Sequence, residues 1–352
     1  MTQPMQIINL GKLPSADSAT AYAISGDGSM IVGESAYSVG LAIRAFRSQQ
    51  NSMVDMSIVK TVDGAGDPLQ TCRSASYYGE ILTGITNDQN YYYELAQNKA
   101  AILPLASSGA AFVSPDGKTY IYSDGVTGAA KVDYLGTIQT LIPVAPNNII
   151  VARGVADSHG QFGASIAACS VIAGGQPIAV YWPEGNLNGQ QLNPLPGDNT
   201  AEPYGISSDG NLVCGVSYVW GAATKKAVVW NIKLNTVTNL GIVAGYDSIE
   251  CFGISPNGIY LSGTLTNTVT FETHAFRYDA DNGMIDLGVL NFGEFGTGYG
   301  VADNGDVVGS SDINAVLYHF KTIKTVSQNE VGVLDMPAIT PCLAVGGIFT
   351  KV

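Results

Sequence analysis

Short runs of β-branched and aromatic residues recur along the chain, each broken by a cluster of Gly, Asp, Asn or Pro. The clearest passage is Phe252 to Leu290. In it Phe252-Gly253-Ile254-Ser255 passes through Pro256-Asn257-Gly258 into Ile259-Tyr260-Leu261-Ser262-Gly263. His274-Ala275-Phe276-Arg277-Tyr278 then passes through Asp279-Ala280-Asp281-Asn282-Gly283 into Met284-Ile285-Asp286-Leu287-Gly288-Val289-Leu290. Runs of this kind between turn residues read as strands. The passage predicts four strands, a to d, with a φ > 0 turn at Asn257-Gly258 making a tight a–b hairpin.

The passage is one copy of a repeat. Its anchor is a Gly or Ala, an Ile or Val, a Ser or Ala, two turn residues and a Gly. Copies end at Gly28, Gly117, Gly160, Gly210, Gly258 and Gly305. The first gap is about twice the others, and Ser74 to Gly84 fits there as a degenerate copy. Seven copies at a mean spacing of about 46 residues fall in the range of propeller blades. The predicted fold is an all-β, seven-bladed β-propeller of four-stranded antiparallel blades spanning 1–326. Gln6 to Leu13 reads like a strand d, and the last copy lacks one. The N-terminal strand is therefore expected to complete the last blade and close the ring. Residues 327–352 fall outside the repeat and read as an extra strand or a docking tail.

The motifs of strands a to d resemble the bacterial HAF repeat, named for a His-Ala-Phe in strand c. His274-Ala275-Phe276-Arg277-Tyr278 with Met284-Ile285-Asp286-Leu287-Gly288 is a close match, and Arg44-Ala45-Phe46-Arg47 with Met53-Val54-Asp55-Met56 a weaker one. The resemblance implies a propeller and an extracellular setting. It implies no common activity, and surface binding is an inference from it.

Composition narrows the function. Apolar residues make up 46% and charged residues 13%, so a large core is easy to build. The net charge of −13, from 29 acids against 16 bases, argues against nucleic acid or an anionic membrane as the main partner. The five cysteines show no CxxC spacing. Cys214 and Cys251 occupy apolar strand positions and are expected to be buried. The first residues carry no basic, apolar leader pattern, so no signal peptide is expected. No run approaches the ~20 apolar residues of a membrane helix. An extracellular or virion-surface location would then need another export route or display on a particle.

No catalytic set emerges. His159, His274 and His319 fall in three different repeats, and neither a metal cluster nor a Ser-His-Asp arrangement is expected. His274 reads as a hydrogen-bonded structural residue. Asp279 to Gly283 reads as a c–d turn rather than a calcium loop. Gly293 to Gly300 reads as a d–a connection rather than a phosphate loop. No cofactor is expected.

The variable loops carry the rest. The a–b turns read as short everywhere; the d–a and b–c loops share the opposite face, with Cys169 to Pro177 the longest b–c loop. Acids are assigned to the d–a loops at Asp17, Asp63, Asp67, Asp198, Glu202, Asp247, Glu250 and Glu294. Aromatics on the same face are Tyr37, Trp220, Tyr246, Phe271, Phe292 and Phe295. Of these, Asp17, Asp198, Trp220, Tyr246, Asp247, Phe271, Phe292, Glu294 and Phe295 are the candidate binding residues. The leading expectation is a non-catalytic binding or structural module on a bacterial or phage surface, touching protein or glycan through this acidic face. A propeller glycosidase or polysaccharide lyase is the alternative, with acids among Asp17, Asp198, Asp247 and Glu294. A third is an assembly component that docks through residues 327–352.

Overall fold

Strand b of blade 5, Leu212–Tyr218, is buried at six of its seven positions. Such a strand is covered on both sides, which is what a blade packed between two neighbours requires. The structure, a computed structural model, describes residues 5–59, 68–87, 89–106, 109–123, 130–144, 149–159, 166–171 and 175–321. These form seven four-stranded antiparallel sheets, so the fold is an all-β β-propeller. The innermost strands a are Ser18–Ile24, Thr71–Ala75, Phe112–Val113, Ile149–Val155, Thr200–Ile206, Ser248–Ile254 and Gly296–Val301, in blades 1 to 7. Met5–Gly11 pairs antiparallel with Asn314–Phe320, placing Ile7 opposite Tyr318, and supplies the outer strand of that sheet. Seven apolar clusters fill the interfaces between consecutive sheets. Leu10, Ile24, Phe46, Val308 and Leu317 belong to the one where the last blade meets the first. Residues 327–352 lie outside the described residues.

The a–b turns explain their own sequence. In blade 1 the Ser25 hydroxyl donates to Asp27 Oδ1 at 2.6 Å and accepts from Met30 N at 2.9 Å. Ser114 with Asp116, Ser207 with Asp209 and Ser255 with Asn257 repeat the contact at 2.6, 2.6 and 2.7 Å. Only the glycine has positive φ, +79° at Gly28 and +74° at Gly258. The expected two-residue hairpin is thus replaced by a longer loop in which Ser25 N bonds Met30 O. The side chain of Asp27 takes the place of a turn backbone.

These turns also tie the blades together. Asp27 N donates to Tyr77 O and Tyr77 N to Pro115 O. Asp157 N donates to Ser208 O, Ser208 N to Pro256 O, and Asp303 N to Gly26 O. Pro115 and Pro256 have no N–H to offer. At those two interfaces the next residue donates instead, Asp116 N to Asp157 Oδ1 at 2.6 Å and Asn257 N to Asp303 Oδ1 at 2.9 Å. The position held by Pro115 and Pro256 is aspartate only in the blades that follow them. One hydrogen bond thus crosses each interface, and the chain of bonds returns to its start.

Strand a carries a bulge in six blades, at Tyr22, Arg73, Arg153, Tyr204, Phe252 and Tyr299. A bulge bends the strand and re-aims one side chain, here toward the axis. The bent backbone needs space on strand b. A Cβ on Gly263 would stand 1.9 Å from Glu250 O, and one on Gly33 2.0 Å from Thr20 O. This is why strand b so often ends its apolar run in glycine.

Two loop expectations change. Cys169 and Pro177 lie within strands Ile166–Val171 and Pro177–Trp182, so they do not bound a long loop. In blade 4, strand a ends at Val155 and strand b begins at Ile166, so its a–b spacing is not the short one expected. Gly296–Val301 is the innermost strand of blade 7, leaving only Gly293 to Phe295 of the glycine-rich stretch as connection.

Candidate functional site

Three of the acids expected on the loop face, Asp17, Asp198 and Asp247, are bonded to residues of their own blades. Asp17 Oδ2 accepts from Ser38 N at 2.5 Å and Ser38 Oγ at 2.7 Å. Those two bonds hold its carboxyl below the usual carboxylate range. Asp247 does the same with Thr268, at 2.8 and 2.5 Å, and is likewise lowered. Asn199 plays this part in blade 5, accepting from Trp220 N at 2.7 Å. Each residue latches a d–a loop onto the b–c loop of its own blade. The side chain of Asp198 is 2% exposed, accepting from Ser217 Oγ at 2.7 Å and paired with Lys226 at 2.6 Å. Asp17 and Asp247 thus hold their loops while remaining exposed, whereas the buried side chain of Asp198 is structural, correcting its assignment as a contact residue. Glu202 and Glu250 lie in strands a, not in loops. Glu294 is exposed on its connection. Asp63 and Asp67 lie outside the described residues.

The aromatics divide. Tyr246 is half-buried, its hydroxyl 2.6 Å from His274 Nδ1 and 3.2 Å from Asp286 Oδ2. Burial and Asp286 raise its phenol pKa. It ties the d–a loop to the His274–Asp286 pair at 2.8 Å, so it too is structural, and His274 is hydrogen-bonded as expected. Tyr37 is held by Arg44, 4.8 Å above its ring. Trp220, Phe271 and Phe295 are exposed at 46, 70 and 49%. The side chain of Phe292 lies outside the described residues.

Phe271 has φ +64°, a region costly for a bulky residue. Its loop is tightly built. Asn267 N donates to Glu272 O at 3.0 Å, and Asn267 O accepts from Phe271 N at 2.8 Å. Asn267 Oδ1 accepts from Val269 N at 2.9 Å and Thr270 N at 3.0 Å. The loop thus holds Val269, 82% exposed, and Phe271 outward on a fixed backbone. Thr273 bridges to Phe295 in the neighbouring connection. Phe271 and Phe295 consequently belong to one patch.

A second site was not foreseen. The bulged residues of strands a gather in the central channel. Tyr22, Tyr299, Phe252 and Tyr204 follow one another with ring centroids 5.2, 5.5 and 5.1 Å apart. Arg73 stacks on Tyr22 at 3.6 Å, and Arg153 on Tyr204 at 4.9 Å. Four aromatic rings thus form an arc ended by two guanidiniums. Blade 3 breaks the pattern: Ala111 is buried there and Phe112 fills the position that is Gly, Ala or Ser in the other blades. Behind the arginines, Glu34 stands 3.5 Å from Arg73 and Glu202 4.0 Å from Arg153. Burial and Glu34, which accepts from the Tyr22 hydroxyl at 2.9 Å, push the Tyr22 phenol up. The only signal in the sequence was positional: each of these residues directly precedes the repeated anchor.

No protein-family model matches the chain, and no curated protein matches it. Solved structures do. An oligogalacturonate lyase in complex with manganese is similar, with a TM-score of 0.61 and 12% identity, covering 91% of this chain and 94% of that one. The β-propeller domain of Swd1 from Myceliophteria thermophila gives 0.54 at 8% identity, covering 90 and 100%. TolB from Acinetobacter baumannii gives 0.50 at 14% identity over 74% of this chain, and the match spans 64% of the TolB chain. At these identities the likeness carries the propeller fold alone.

Proposed function

We propose that this chain is a non-catalytic binding module. It is a seven-bladed ring that contacts a protein partner through the exposed apolar loops of blades 5 to 7, displayed outside the cell or on a particle. The observation that carries the reading is Phe271. It is largely exposed, held in an unfavourable backbone conformation, and fixed by a loop bonded both to itself and to the d–a loop through Asp247 and Gly245. Such strain is retained where a side chain must be presented. Rigid aromatic anchors reduce the ordering cost of association. The acidic net charge favours a partner whose apolar pocket is edged with basic groups. The glycosidase or lyase reading is less favoured, because Asp17 and Asp247 are bonded within separate blades and the Asp198 side chain is buried in an ion pair.

The test is site-directed photocrosslinking in the source organism, with the reactive residue at 271, 295 or 220, and at 234 as a control. Leu234 is 70% exposed in the c–d turn of blade 5, away from the patch. Discrete protein adducts from 271, 295 and 220 and none from 234 are expected. Equal labelling at 234, or no adduct at all, would overturn the reading.

A further inference from the structure

We propose that the central channel binds a small ring-bearing carboxylate, its ring against the aromatic arc and its carboxylate between Arg73 and Arg153. This site is separate from the loop patch, and neither depends on the other.

The arginines motivate the proposal. Their side chains are 32 and 31% exposed, and among the described residues neither guanidinium makes a hydrogen bond. Their acid partners stand at 3.5 and 4.0 Å, close enough to orient them and too far to use their donors. Arg153 Nε is buried with no partner. A guanidinium presents a fixed fork of N–H donors that matches a planar carboxylate. The acids behind are themselves fixed, Glu34 by Tyr22 and Glu202 by the Tyr218 hydroxyl at 2.8 Å.

The body of the ligand follows from the walls. Of the arc, Tyr22, Tyr204 and Phe252 line the cavity, and stacking favours a flat ring or the C–H face of a sugar. Above it, Ile24, Val113, Val155, Ile206 and Ile254 form an aliphatic collar. The cavity measures about 170 Å³. Drug-sized sites run ~300–1,000 Å³, so one ring fits and a nucleotide or a peptide segment does not. Gly26, Tyr77, Pro115 and Pro256 of the a–b turns form the rim. A Cβ at Gly26 would meet the Tyr77 ring at 2.3 Å, so Gly26 leaves room for Tyr77 to narrow the mouth.

The full chain is titrated by calorimetry with benzoate, glucuronate, benzamide and inorganic phosphate. One saturable site for benzoate or glucuronate is expected, at least tenfold tighter than for benzamide or phosphate. The acid that binds tighter separates an aromatic from a sugar ligand. Arg73→Lys and Arg153→Lys keep the charge but remove the fork; each should weaken binding at least tenfold with an unchanged thermal melt. Phe271→Ala should leave binding intact. The proposal is overturned if neither acid saturates the folded chain, if benzamide or phosphate binds as well, or if both lysine variants bind like the parent.

Discussion

The two faces of this propeller use polar residues for opposite ends. On the turn face, Ser, Asp, Asn and Pro repeat from blade to blade, and besides the bonds within each turn one bond runs from each turn to the next blade. On the loop face, Asp17, Asn199 and Asp247 also repeat, but their bonds stay within one blade. The first arrangement closes a ring; the second only fixes loops. On the loop face the Asp198 side chain is consumed by architecture, while Asp17, Asp247 and Glu294 stay exposed beside the apolar Trp220, Phe271 and Phe295. The channel is cationic and aromatic.

Five substitutions would break or sharpen this contrast. Gly263→Ala should have the largest effect, since its Cβ would press on Glu250 O and distort the strand that joins both faces. A loss of about 3 kcal/mol is expected in denaturant unfolding. Asp303→Ala should cost about 1 kcal/mol by leaving Asn257 N without its acceptor. Adding Pro256→Ala restores a backbone donor at that interface, and the double variant should recover part of the loss. Additive losses instead would show that the proline and aspartate are not a pair.

Asp247→Asn should lower the melting temperature by less than Asp303→Ala, because its bonds do not cross an interface. The carboxyl of Asp247 titrates below its unfolded value. Its contribution is present above that value, about 3.9, and is lost as pH falls through the lower folded value. The difference between parent and variant should therefore shrink below about pH 4 in pH-dependent melts. The only gain is expected for Phe271→Gly. Glycine accepts φ +64° without steric cost, so stability should rise by up to about 1 kcal/mol while the crosslink at 295 is lost.

The repeat made the architecture legible. Alternating apolar runs and the anchor glycines predict strands a to d, and Asn9-Leu10-Gly11 reads as the strand d it becomes, with Asn9 Oδ1 accepting from Gly11 N as Asp286 does from Gly288 N. The sites were harder to read. A carboxylate in a loop has the same letter whether it faces solvent or bonds Ser38. Glu202 and Glu250 were misplaced because strand a begins earlier than its apolar core suggests. The channel went unseen because a bulge, which periodicity of two cannot show, turns Tyr22, Arg73 and Arg153 to the axis.

The outer strand of the last blade has a consequence for biosynthesis. Met5–Gly11 leaves the ribosome ahead of every blade, yet its partner Asn314–Phe320 emerges after all the others are made. Until then that segment has no edge to join, and blade 1 has only one neighbour. The early blades must therefore wait as an open arc with unpaired edges, the state in which nascent β proteins meet each other or a chaperone. Closure is also the contact of greatest sequence separation, the kind that slows folding most. The seam that completes the finished ring is thus the step that sets how long the unfinished one stays exposed.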